Sequence, residues 1–161
     1  MPLKREAILQ AFKTALEGIT VTDGFNYTVR TVIIGRRFAR DYNMSDYPLL
    51  QIDGGQRDRE YRPETFAANA SRNLKREWPV EIIAHIFPEN EDARIAGEKL
   101  IDDIMRCIIN DNRATTLRTA GADGIHLEGI EGADDFEVKE DHIALVHVIF
   151  SVVYNFTPGS L

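Results

Sequence analysis

The stretch Ile143-Ala144-Leu145-Val146-His147-Val148-Ile149-Phe150-Ser151-Val152-Val153-Tyr154-Asn155-Phe156 decides the fold. Its even positions are all apolar, as the core-facing side of a strand requires, because successive side chains of a strand point to opposite faces. Its odd positions, Ile143, Leu145, His147, Ile149, Ser151, Val153 and Asn155, are largely apolar too, so both faces are expected to be covered. At about 3.3 Å per residue the run extends about 45 Å, long for a chain of 161 residues and 18.2 kDa. Part of this strand is therefore expected to be buried only on self-association.

Working outward, Val80 to Phe87 alternates in the same way and predicts a second long strand after Trp78-Pro79. Pro88-Glu89-Asn90-Glu91-Asp92 gathers acids where the exposed N–H groups of a helix start favour them. Behind it Ala93, Gly97, Leu100, Ile101, Ile104 and Ile108 form one apolar stripe of a helix reaching about Asn110. At the other end Ile8, Leu9, Phe12, Ala15, Leu16 and Ile19 mark an amphipathic helix from Lys4 to Gly18. Tyr27 to Ile34, Leu49 to Ile52 and Ile125 to Ile130 complete the predicted strands. The expected class is α+β: a mostly antiparallel or mixed sheet of four to five strands with two helices packed on one face.

Between Asp53-Gly54-Gly55 and Trp78 no apolar period survives. Arg57, Arg59, Arg62, Arg72, Lys75 and Arg76 lie here among acids and small residues, and the segment at about 55–77 reads as a protruding β-arm or long loop. Loops of this length are uncommon in compact domains unless they carry function. The chain is otherwise expected to be a single domain. Charge is divided along it. Residues 1–27 balance, residues 28–78 carry ten basic and seven acidic side chains, and residues 79–161 carry six basic and sixteen acidic. Such a division suits a nucleic-acid patch beside an acidic segment, or two complementary surfaces that meet head to tail.

Catalytic motifs are absent: the sequence has no Gly-x-Ser-x-Gly elbow, no phosphate-cradling glycine loop before a helix and no His-Glu-x-x-His pair. No enzyme activity and no cofactor are expected. His126, Glu128, Asp134 and Asp135 are chemically able to hold a divalent ion, but their spacing matches no defined metal motif. Asp102-Asp103 is expected to be solvated, and Asp134, Asp135 and Glu137 to form an acidic loop. His85 and His147 read as structural histidines inside strands. Cys107, the one cysteine, reads as a buried small hydrophobe in a reducing compartment. Neither a signal peptide nor a membrane span is expected. Arg36, Arg37 and Arg40, with Tyr42, Tyr47 and Tyr61, offer stacking and phosphate contacts, but seven acids in the same region and a pI near 5.1 argue against direct nucleic-acid binding.

The order helix, strand, strand, arm, strand, helix, strand, strand resembles the bacteriophage tail terminator and tail-completion proteins. The likeness rests on the first helix ending at Gly18-Ile19, on Tyr47-Pro48-Leu49-Leu50-Gln51-Ile52, on Trp78-Pro79-Val80-Glu81-Ile82-Ile83-Ala84-His85-Ile86, on the helix from Asp92 to Asn110 and on the final strand at Tyr154. It is one of layout and brings no catalytic signature. It implies a structural virion protein, a subunit of a six-membered homo-oligomeric ring that ends polymerisation of the tail tube at its head-proximal end and joins the tail to the neck. The implied partners are copies of itself, the tail tube protein, a neck or head-completion protein, and a sheath protein where the tail is contractile. A neck or head-completion adaptor is the alternative reading. The candidate contact residues are Arg57, Arg59, Arg62, Arg72, Lys75 and Arg76 on the basic side and Asp134, Asp135 and Glu137 on the acidic side.

Overall fold

In a computed structural model, residues 4–36, 42–56, 59–60, 74–110, 114–138 and 141–156 are described. The fold is α+β. Helix α1 (Lys4–Glu17) is followed by β1 (Thr31–Ile34), β2 (Leu49–Gly54), β3 (Arg59–Glu60) and β4 (Leu74–Ile86). Helix α2 (Ala93–Met105) runs on through a π-helical turn, Arg106–Asn110, to α3 (Ala114–Thr119), β5 (Ala122–Val138) and β6 (Asp141–Phe156). The strands form one mixed sheet in the order β1-β2-β4-β6-β5, with β3 paired to the lower half of β4. Only β1 and β2 are parallel; the other pairs are antiparallel.

Both main helices lie on one face of the sheet. There Ala144, Val146, Val148, Phe150, Val152 and Tyr154 of β6 are buried, as their even spacing predicts, together with Val80, Ile82, Ala84 and Ile86 of β4. From α1, Ile8, Ala11, Phe12, Ala15 and Leu16 meet them, and the Phe12 and Phe150 rings lie 6.0 Å apart. From α2, Ala96, Gly97, Leu100, Ile101 and Ile104 complete the core, and Cys107 and Ile108 of the π-helical turn extend it. The start of α1 is pinned to the lower end of the sheet. Arg5 Nε donates to Tyr154 Oη at 3.0 Å and its guanidinium lies 5.1 Å from the Trp78 ring.

Four elements differ from the sequence reading, each for a physical reason. The first strand is only Thr31–Ile34 because the backbone before it is engaged elsewhere: Tyr27 N–H donates to Asp103 and Val29 N–H to the Ile19 carbonyl. Strand β4 begins at Leu74, ahead of Pro79, so the basic segment is not without structure at its ends. Pro79 is tolerated because it sits just past the last β2 pair, Gly54↔Val80, where its carbonyl accepts from Gly55 N–H at 2.9 Å and no β6 ladder bond is lost. Strand β5 runs on to Val138, so Asp134, Asp135 and Glu137 are strand positions rather than an acidic loop. Helix α3, with Leu117 fully buried, occupies the stretch between the predicted helix ending at about Asn110 and the predicted strand at Ile125, where no element is predicted.

Asp103 is also corrected. Asp102 is exposed as expected, but Asp103 is completely buried. One carboxylate oxygen accepts from Asn26 N–H and Asn26 Nδ2, both at 2.9 Å, and the other from Tyr27 N–H at 3.0 Å. Burial pushes this carboxyl up while the Asn26 and Tyr27 backbone bonds pull it down. Around it, Arg106 covers the Phe25 ring at 4.3 Å and donates to the Gly24 carbonyl at 2.7 Å, and Tyr27 Oη donates to Glu91. The loop ahead of β1 is thus riveted to α2. Removing one partner of a buried network leaves its donors unsatisfied. Asp103→Ala is therefore expected to cost about 2–4 kcal/mol, read as a fall in the denaturant midpoint, with Asp103→Asn costing less because one acceptor survives.

Candidate assembly interface

No helix among the described residues covers the second face of the sheet. This open face carries the odd positions of β6 and their neighbours. A small cluster of Tyr47, Leu49 and Ile143, with Tyr42 and Phe87 against it, covers its upper end. Tyr47 is thereby buried, which removes it as a stacking platform for nucleic-acid bases. Below the cluster a line of charged groups crosses the sheet. Arg36 reaches Asp53 on β2 and Glu81 on β4, both at 2.5 Å, and Glu81 also lies 2.5 Å from His147 Nδ1 on β6. The bond to Asp53 is the main cause holding the Arg36 pKa above its usual value. Arg36 is therefore occupied within its own subunit, and Arg37, Arg40 and Tyr61 lie outside the described residues.

Among the described residues, the basic and acidic candidates lie at opposite ends of the β4–β6–β5 ribbon. Lys75 and Arg76 pair with Asn155 and Tyr154 at the lower end, and Arg59 faces Glu77 there through β3. Asp134 and Asp135 pair with Leu145 and Ala144 at the upper end, and Glu137 with His142. Ten residues of β6 separate Leu145 from Asn155, about 33 Å of extended strand. Lys75 is exposed, with Asp123 at 3.9 Å. Arg57, Arg62 and Arg72 lie outside the described residues. The described members of the two sets are thus kept apart within one chain.

Strand register separates two of the possible metal ligands. His126 faces Ser151 and Asp134 faces Leu145, roughly 20 Å apart along the sheet. Among the described residues no group of three or more His, Cys, Asp or Glu side chains is placed to hold an ion. Nor does any helix among them have the length and hydropathy to cross a membrane.

His85, read from the sequence as a structural histidine inside a strand, is indeed buried within β4. It lies on the open face between Leu49 of β2 and Leu145 of β6, is 6% exposed, and its Nδ1 has no hydrogen-bond partner among the described residues. Only its strand position, among apolar neighbours, signals this burial. No protein-family model matches the chain, and no curated protein sequence matches it.

Burial, with a smaller contribution from His147, lowers the His85 pKa from 6.5 to about 4. A depressed base is protonated in the unfolded chain before it is in the folded one, so its contribution to stability is present above the unfolded pKa and is lost as pH falls through the folded value. The expected loss between pH 6.5 and pH 4 is roughly 3 kcal/mol. Chemical denaturation across that window should show the slope in the native sequence and a flatter profile in His85→Leu.

Proposed function

We propose that the chain is a structural, non-enzymatic subunit of a homo-oligomeric ring that caps the head-proximal end of a phage tail tube and joins the tail to the neck. The observation that carries this reading is the separation of Lys75 and Arg76 from Asp134, Asp135 and Glu137 to opposite ends of one long ribbon. Charges so divided do not pair with each other along one ribbon, Lys75 lying instead near Asp123, and are placed to complement each other between copies. Contacts that join two different surfaces of the same chain build rings when the rotation between copies closes. Electrostatic complementarity then sets register and partner choice. The layout of helices and strands that resembles the tail terminator proteins supports the same reading, as does the half-exposed second face of the sheet. In this role the partners are copies of the chain, the tail tube protein and a neck or head-completion protein, and the site of action is the virion.

Light scattering of the purified protein, with and without tail tube protein and at low and moderate salt, tests this. A hexamer alone, or one formed only on tubes, is expected. A persistent monomer that ignores tubes would overturn the reading. Reversing charge at Arg57, Arg59 and Arg62 together is expected to weaken association, more visibly at low salt, where exposed charges are least screened.

A further inference from the structure

The two edges of the sheet match each other. Register places Ile34 of β1 beside Ile52 of β2, Ile52 beside Ile82 of β4, Ile82 beside Val148 of β6, and Val148 beside Ile130 of β5. These five side chains form one row across the helix-bearing face. Its three central members are fully buried, whereas Ile34 and Ile130 at its two ends are each 42% exposed. An apolar row that is complete at its centre and cut at both ends is what a sheet presents when its neighbours are missing.

The geometry points to a second copy of this chain as the occupant of both edges: β5 of one copy pairs with β1 of the next, placing Ile130 beside Ile34 and continuing the sheet between subunits. This rests on the reading of the chain as a self-associating ring subunit and specifies the surfaces it would use. Strand direction agrees. Strand β1 is parallel to β2, and each later step to β4, β6 and β5 reverses direction, so β1 runs antiparallel to β5. Setting one sheet beside the next without inversion therefore gives an antiparallel junction, the more stable kind. Among the described residues no strand lies beyond β1 or β5.

Charge selects this partner over the alternative. Strand β5 carries Asp123, Glu128, Glu131, Asp134, Asp135 and Glu137 and no Lys or Arg. Two β5 edges laid together would bring twelve carboxylates into one strand pair with no Lys or Arg among them, and like charges close to one another destabilise such a pair. Strand β1 instead follows the exposed Arg30 and has no acid within it, while Arg36 at its other end is already held by Asp53 and Glu81. Acids along an edge also protect a monomer from aggregation, and that alternative predicts no contact between Ile34 and Ile130.

The test uses full-length Ile34→Cys and Ile130→Cys, each in a Cys107→Ala background, mixed and oxidised mildly, with free thiols then blocked before a non-reducing gel. Directly opposed residues of an antiparallel pair lie about 4.5–5.5 Å apart at Cα, within the reach of a disulfide. The mixture is expected to give a covalent dimer that neither variant gives alone, and the variant carrying both cysteines a ladder of higher species. Ile130→Lys, at an exposed position that folding does not need, is expected to weaken association by about tenfold. If light scattering shows an oligomer but the mixture does not cross-link, or if Ile130→Cys cross-links by itself, the ring reading stands and this junction is wrong. If no oligomer forms with or without tubes, both fail.

Discussion

The unbroken pairing of β4 with β6 is the constraint on which the rest of the molecule depends. Thirteen consecutive residues of β4, Leu74 to Ile86, face Phe156 to Ala144 without a bulge. Side chains in this ribbon have only two directions, so fixing the register also fixes which groups meet the helices and which meet the open face. One residue of slip would carry Phe150, Val148 and Ile82 out of the core and put His147 and Glu81 into it. Burying each large apolar side chain is worth about 1.5–3 kcal/mol, so the whole row resists such a slip. Both main helices then have a single surface on which to pack.

A second, local interaction decides how the N-terminal half joins this ribbon. Asp103 holds the backbone donors of Asn26 and Tyr27 against α2, and those donors are then unavailable for sheet pairing. This is why β1 is short. A buried carboxylate stabilises a fold only when its oxygens are satisfied, and here three N–H groups do so. The Gly24–Tyr27 loop is further held by Arg106 and Glu91.

The elements whose apolar period is intact were legible in the sequence: α1, α2, the core side of β6 and the upper half of β4. The failures share a cause, namely that the deciding partner is remote or the period is interrupted. Asp103 sits beside solvated Asp102, and nothing local reveals that its partners lie 76 and 77 positions earlier. Strand β5 has register shifts between Ala122 and Gly124, Leu127 and Gly129, and Glu131 and Asp134. Each inserts a residue and inverts the inside–outside alternation, so its acidic upper half reads as a loop. Lys75, Arg76, Asp134 and Asp135 stood out as charged, but their separation along the ribbon became visible only through the β4–β6 and β5–β6 registers.

The same bulges bear on how an edge can be both protected and specific. A bulge twists and locally interrupts the free edge, and acids add repulsion, so β5 resists pairing with an identical strand. Neither device acts against a short edge of opposite charge. Strand β1 offers only Thr31 to Ile34 before Gly35 turns the chain with φ +97°, a conformation that glycine adopts without strain. A junction limited to so few residues makes few backbone hydrogen bonds. It must draw its specificity from the side chains that close the apolar row and from the charges around them. In the proposed junction the surfaces joined are different, so each copy added would still present one free edge of each kind. Growth by that junction would stop only when the last β5 edge met the first β1 edge, which is the geometric condition for a ring.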